Sequence, residues 1–130
     1  MEIKRQKPVV EAYHYDKKNP EKEQKTVLNV GFSPLQSADE NYPKENSIIG
    51  ARLEFVLVFE AYVLSGRVSQ INHLINREVT SQQDVTKDEI DQIVAPLFDI
   101  VKRLTYEVTE IAMDEPGLKL NFKSDPETQA

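Results

Sequence analysis

The apolar residues of this chain change period once, and that change constrains the fold more than any other feature. Up to about Ile75 they favour every second position, the repeat of strands. From Ile90 they step by four and three, through Val94, Leu97, Val101, Leu104, Val108 and Ile111. That is the seam of a helix laid on an apolar surface. Strands first and helix afterwards predict an α+β fold in which helix covers one face of a sheet. A chain of 130 residues has room for one domain, set here at residues 1–122.

The strands are read from local pattern. Val9 to Tyr15 alternates β-branched and aromatic residues with Glu11, Ala12 and His14, and Pro8 marks it as an edge or a bend. Thr26 to Phe32 puts Leu28, Val30 and Phe32 on one side and Val27, Asn29 and Gly31 on the other. Residues 33–47 form a polar connection with Pro34 and Pro43. The strongest β signal follows. Leu53, Phe55, Leu57, Phe59, Ala61 and Val63 share one parity; Glu54, Val56, Val58, Glu60, Tyr62 and Leu64 share the other. Read as one strand, it has a core face and a mixed face open to a ligand or partner. Gly66 marks a bulge or bend, with residues 67–75 as a fourth strand or a continuation. The expected sheet has three to four strands.

Thr86-Lys87-Asp88-Glu89 has the spacing of a capping box, and Val85 and Ile90 stand at the positions of a hydrophobic staple. Pro96 interrupts the seam, where an interior proline costs about 3 kcal/mol. The expectation is a short helix ending near residues 93–95, then a longer one starting at Pro96. Asp114-Glu115-Pro116-Gly117 stops it, and residues 123–130 read as a polar tail.

Composition then removes function classes. The 22 acidic and 16 basic residues leave a net charge of −6, which repels nucleic acid unless the basic residues segregate. Cysteine is absent, so thiolate catalysis, disulfides and Cys-based zinc sites are excluded. His14 and His73 stand apart in separate strands, and the four glycines make neither a P-loop nor a Gly-x-Gly-x-x-Gly turn. The expectation is therefore no enzyme, no cofactor and no metal. No apolar run approaches the ~18 residues that span a bilayer, and the N-terminus lacks a secretory h-region. The location expected is cytoplasmic, without membrane insertion. What remains is a binding surface, for which the candidates are Val56, Val58, Tyr62 and Leu64 on the mixed face, with Tyr13 and Tyr15 as aromatic contacts.

Strands, the segment Ser65-Gly66-Arg67-Val68, a long helix and then Pro116-Gly117-Leu118-Lys119-Leu120 resemble the SecB protein-export chaperones. The stretch Leu57 to Val68 is still more similar to an uncharacterised bacterial family with a SecB-like fold. The resemblance implies an antiparallel sheet with a short and a long helix on one face, assembling as a dimer or tetramer. It also implies binding of unfolded or extended polypeptide without a cofactor. The other reading is a structural or regulatory oligomer that binds one dedicated folded partner.

Overall fold

A computed structural model describes residues 2–121. The elements in order are β1 (Glu2–Arg5), β2 (Val9–Lys17), β3 (Val27–Leu35), β4 (Ser47–Val58) and β5 (Tyr62–Ile75). A 3-10 turn (Gln82–Asp84) then leads into one helix, α1 (Lys87–Met113). All strand pairs are antiparallel. β5 pairs with β4 on one side and with β1 and β2, end to end, on the other; β3 lies outside β4. The α+β class holds, but the sheet has five strands, not three to four, and the helix layer is a single helix of 27 residues, not two.

The fifth strand is β1, and the boundary between β4 and β5 is a hairpin. The Phe59 amide donates to the Tyr62 carbonyl at 3.0 Å, closing a tight turn with Glu60 and Ala61 at its tip. The expected continuous strand from Leu53 to Leu64 is thus two strands, and the turn reverses the relation of parity to face. Leu57 stands opposite Leu64, and Leu53 opposite Val68. Odd residues of β4 therefore share a face with even residues of β5. That face is the core: Ile49, Leu53 and Phe55 with Leu64, Val68 and Leu74 are at most 2% exposed. α1 covers it over β4 and β5 with Ile93, Leu97, Ile100 and Val101.

Gly66 is not a bulge. The register shift lies on the neighbouring strand, between Val10 and Ala12 of β2. A Cβ at Gly66 would come within 2.3 Å of the Ala12 carbonyl oxygen and 2.9 Å of the Phe55 ring. Glycine is there for close packing, with Tyr13 and Phe55 meeting at 5.9 Å between ring centroids.

Pro96 does not break the helix either. Its ring removes the N–H that would bond the Gln92 carbonyl, and the guanidinium of Arg5 in β1 donates to that carbonyl at 2.5 Å. A distant strand thus satisfies the acceptor that the proline strips. Arg5→Ala should cost about 1.5 kcal/mol in the parent, the low end for a hydrogen bond to a charged group because the bond is exposed. In a Pro96→Ala background, where the helix supplies its own N–H, the cost should be close to zero. Urea midpoints of the four chains check this, and equal costs in both backgrounds would remove the coupling.

The entry to α1 is the capping box expected from the sequence. The Glu89 amide donates to the Thr86 hydroxyl at 3.2 Å, and the Thr86 amide to the Glu89 carboxylate at 2.9 Å. Arg77 adds a two-pronged pair to the same carboxylate, at 2.6 and 2.8 Å. The Thr86 amide first, and then Arg77, hold the Glu89 carboxyl below its ordinary 4.5. A carboxylate depressed in the folded state stabilises fully above its unfolded pKa and loses that contribution as pH falls through the folded one. Thr86→Ala should lower stability by about 0.5–2 kcal/mol at neutral pH. In Glu89→Gln the decline of stability below about pH 4.5 should flatten, which denaturant midpoints against pH would show.

At its far end α1 stops at Asp114, in the left-handed region with φ 52°. Gly117 then passes so close to Tyr106 that no side chain fits, and the Leu118 amide donates to the Thr109 hydroxyl at 2.8 Å. Leu118 and Leu120 pack half-buried against the core. The polar tail expected over residues 123–130 lies outside the described residues.

Candidate functional site

The helix covers one face of the sheet and leaves the other bare. The bare face carries Gly50, Arg52, Glu54, Val56 and Val58 of β4, with Ser65, Arg67, Ser69, Ile71 and His73 of β5 beside them. β3 contributes Val27, Asn29, Gly31, Ser33 and Leu35 on the same side. Between the strands runs an open trough of about 650 Å³. Its apolar lining includes Val9, Leu35 and Ile71, 54%, 43% and 38% exposed. Asn29, Ser33, Ser69 and Gln6 supply side-chain hydrogen-bonding groups, and Gly31 and Gly50 put no side chain over the backbone there. The bulge in β2 coils its strand locally, which helps to turn a flat face into a concave one.

Charges lie on this face in both signs. The Glu11 carboxylate is 3.5 Å from Arg67 and 3.8 Å from Arg52, which is also 3.8 Å from Glu54. These groups are substantially solvated, so they set a nearly neutral, polar surround more than they add stability. His73 on the same face has the Tyr42 hydroxyl 3.0 Å from Nδ1 and the side-chain amide of Gln6 3.1 Å from Nε2. Both ring nitrogens are engaged, and the contacts tie the 36–46 connection to the start of the chain. His14 is exposed on β2. The arrangement offers apolar contact and hydrogen bonding along an extended path, without a nucleophile–base pair at the trough.

The six candidate contact residues do not form one surface. Val56 and Val58 are half-buried on the bare face. Tyr62 and Leu64 lie on the helix face, 8% and 0% exposed, so Leu64 has no surface to offer a ligand. Tyr15 stacks on Tyr62 with ring centroids 5.1 Å apart. The Tyr13 hydroxyl is 3.0 Å from that of Thr105 in α1, and burial pushes its phenol pKa up. The hairpin explains the split: even residues of β4 and even residues of β5 point to opposite faces. Sequence reasoning missed Val9, Leu35 and Ile71 as lining. Ile71 stands alone between Gln70 and Asn72, and Leu35 sits in a stretch that reads as loop.

Comparison with known proteins places this geometry. A family model matches residues 1–122, which span all of the described residues. The chain belongs to the DUF1149 family, described as a protein of unknown function. A solved protein of unknown function from Streptococcus agalactiae is similar at 40% identity over 94% of this chain and 98% of its own, with a TM-score of 0.85. A SecB-like chaperone of Mycobacterium tuberculosis, solved in complex with a ChAD peptide from the HigA1 antitoxin, shares 9% identity. It covers 93% of this chain and 90% of its own at a TM-score of 0.51, a likeness of fold alone. This DUF1149 chain is thus SecB-like in fold. No curated protein matches it in sequence. Among its described residues no helix is long and apolar enough to cross a membrane.

Proposed function

We propose that this DUF1149 protein is a non-enzymatic, chaperone-like module that holds extended apolar polypeptide segments in the trough, as a cytoplasmic homo-oligomer and without a cofactor. The observation that carries the reading is the trough itself. Its apolar side chains stand on a sheet face that also offers amide and hydroxyl groups, which suits an extended chain without fixing its sequence. The solved SecB-like neighbour, whose own partner is a peptide of another protein, supports the same use of the fold. That partner is a segment of one named protein, which favours as a second reading a module dedicated to a single partner.

The test is capture of reduced, unfolded model proteins by the full chain, read as suppressed aggregation and as direct binding. Ile71→Asp puts a charge on the apolar lining at an exposed position, where the fold has little to lose. It should weaken capture by about tenfold, the weight of ~1.4 kcal/mol. Glu54→Gln, at a residue that also lines the trough, removes no apolar surface and should change it much less. Capture that Ile71→Asp leaves intact would remove the trough from the proposal; no capture of any unfolded chain would favour the dedicated partner.

A further inference from the structure

β3 is the outermost strand on its side of the sheet, beyond β4. From Val27 to Leu35 it carries no charged residue. Val27, Leu28, Val30 and Leu35 are between 37% and 43% exposed. An edge strand of this length, uncharged and apolar, is a template for another strand. The opposite edge is defended, with Lys4, Arg5, Pro8, the bulge at Glu11, Asp16 and Lys17 along β1 and β2.

The order of residues says which strand fits. Outward from Gly31, β3 has the same polarity in both directions. Val30 mirrors Phe32, Asn29 mirrors Ser33, Leu28 mirrors Pro34, and Val27 mirrors Leu35. In an antiparallel pair of identical strands centred on Gly31, each residue faces its mirror mate, and mates lie on the same side of the sheet. Apolar would meet apolar on both faces, and Asn29 would meet Ser33. No like charges are brought together.

Gly31 supplies the independent observation. Its φ is not positive, and a Cβ there would meet nothing within 4 Å. The protomer has no steric use for glycine at this position, where glycine weakens a strand. Close approach of a second backbone gives it one. Pro34 fixes the parity of the strand: in an edge strand a proline sits where its missing N–H faces away from the sheet. That places Gly31, three residues away, at a narrow pair without hydrogen bonds, where Cα atoms come to about 4.5 Å. The pairing forgoes the two ladder hydrogen bonds at its Leu28–Pro34 pairs, which lie away from the axis.

We propose that β3 pairs antiparallel with β3 of a second copy, about a two-fold axis at Gly31, joining two sheets into one. Both helices then lie on one side. Since Asn29, Gly31, Ser33 and Leu35 line the trough, the two troughs meet at the axis and form one longer surface. The pairing itself stands whether or not that surface holds polypeptide.

The sequence has no cysteine, so Gly31→Cys in the full chain creates the sole thiol. Mild oxidation should convert it largely to a covalent dimer, while Lys17→Cys on the opposite edge should give only traces. Light scattering of the parent should show twice the 14.9 kDa chain mass or a multiple of that dimer. Gly31→Lys sets two like charges on the axis, in space that the protomer leaves open. It should weaken association by roughly tenfold or more with an unchanged circular-dichroism spectrum. A parent that stays monomeric at high micromolar concentration overturns the pairing. So does preferential cross-linking through Lys17→Cys, or a Gly31→Lys chain that associates like the parent. If a monomeric parent captures unfolded protein and Gly31→Lys does not, the edge takes a client strand instead of a second copy. A cross-linked dimer that captures nothing supports the pairing and defeats only the proposed function.

Discussion

Gly66→Val should destabilise the chain by about 3 kcal/mol, the upper part of the range for overpacking, and lower its urea midpoint accordingly. The reason is where the first added atom lands. A Cβ at Gly66 lies 2.3 Å from the Ala12 carbonyl oxygen, a backbone atom of the adjoining strand, and 2.9 Å from the Phe55 ring. Neither can move alone. Ala12 follows the bulge in β2, and Phe55 is 2% exposed under the helix. β2 has to peel from β5, which also separates Tyr13 from Thr105 and loosens the helix from the sheet. Gly50→Ala is the control. Its nearest neighbour is Leu35 Cδ1 at 3.3 Å, the end of a side chain 43% exposed, and its cost should stay within about 1 kcal/mol. Equal losses at both glycines would mean that strand propensity, not the contact with β2, governs Gly66.

The two glycines and Pro96 show what a sequence of this kind reveals and what it hides. The capping box, the seam of α1 and the edge position announced by Pro8 were legible because each is a matter of a few neighbouring residues. Pro96 was misleading for the opposite reason. The group that replaces its lost hydrogen bond, Arg5, is 87 positions away in the chain. Gly66 was rightly marked as special, but the close neighbour that demands it lies on another strand. The hairpin at Phe59–Ala61 was invisible because it uses no glycine, proline or asparagine, so apolar alternation runs through it unbroken. That one omission moved Tyr62 and Leu64, two of the four candidates on the expected mixed face. Once the chain turns, Tyr62 and Leu64 belong with Phe55 and Leu57, and the partner of Val56 on the open face is Ser65.

Leu64→Ala decides between those two readings of the hairpin, and it should destabilise the chain by about 2–5 kcal/mol. Leu64 is 0% exposed and stands opposite Leu57, itself only 5% exposed, with α1 over the sheet. Removing its side chain leaves a cavity between layers that are held by many other contacts, so little collapse can offset the loss. On an unbroken strand Leu64 would instead share the open face with Val56, and truncating it there would cost little stability. The second measurement is capture of unfolded protein per folded molecule, at a temperature where both chains are folded. It should be unchanged in Leu64→Ala, because the side chain does not reach the trough, while Ile71→Asp should lose capture and keep its midpoint. A Leu64→Ala chain as stable as the parent but weak in capture would reverse the assignment of faces. The trough would then have to be sought under the helix.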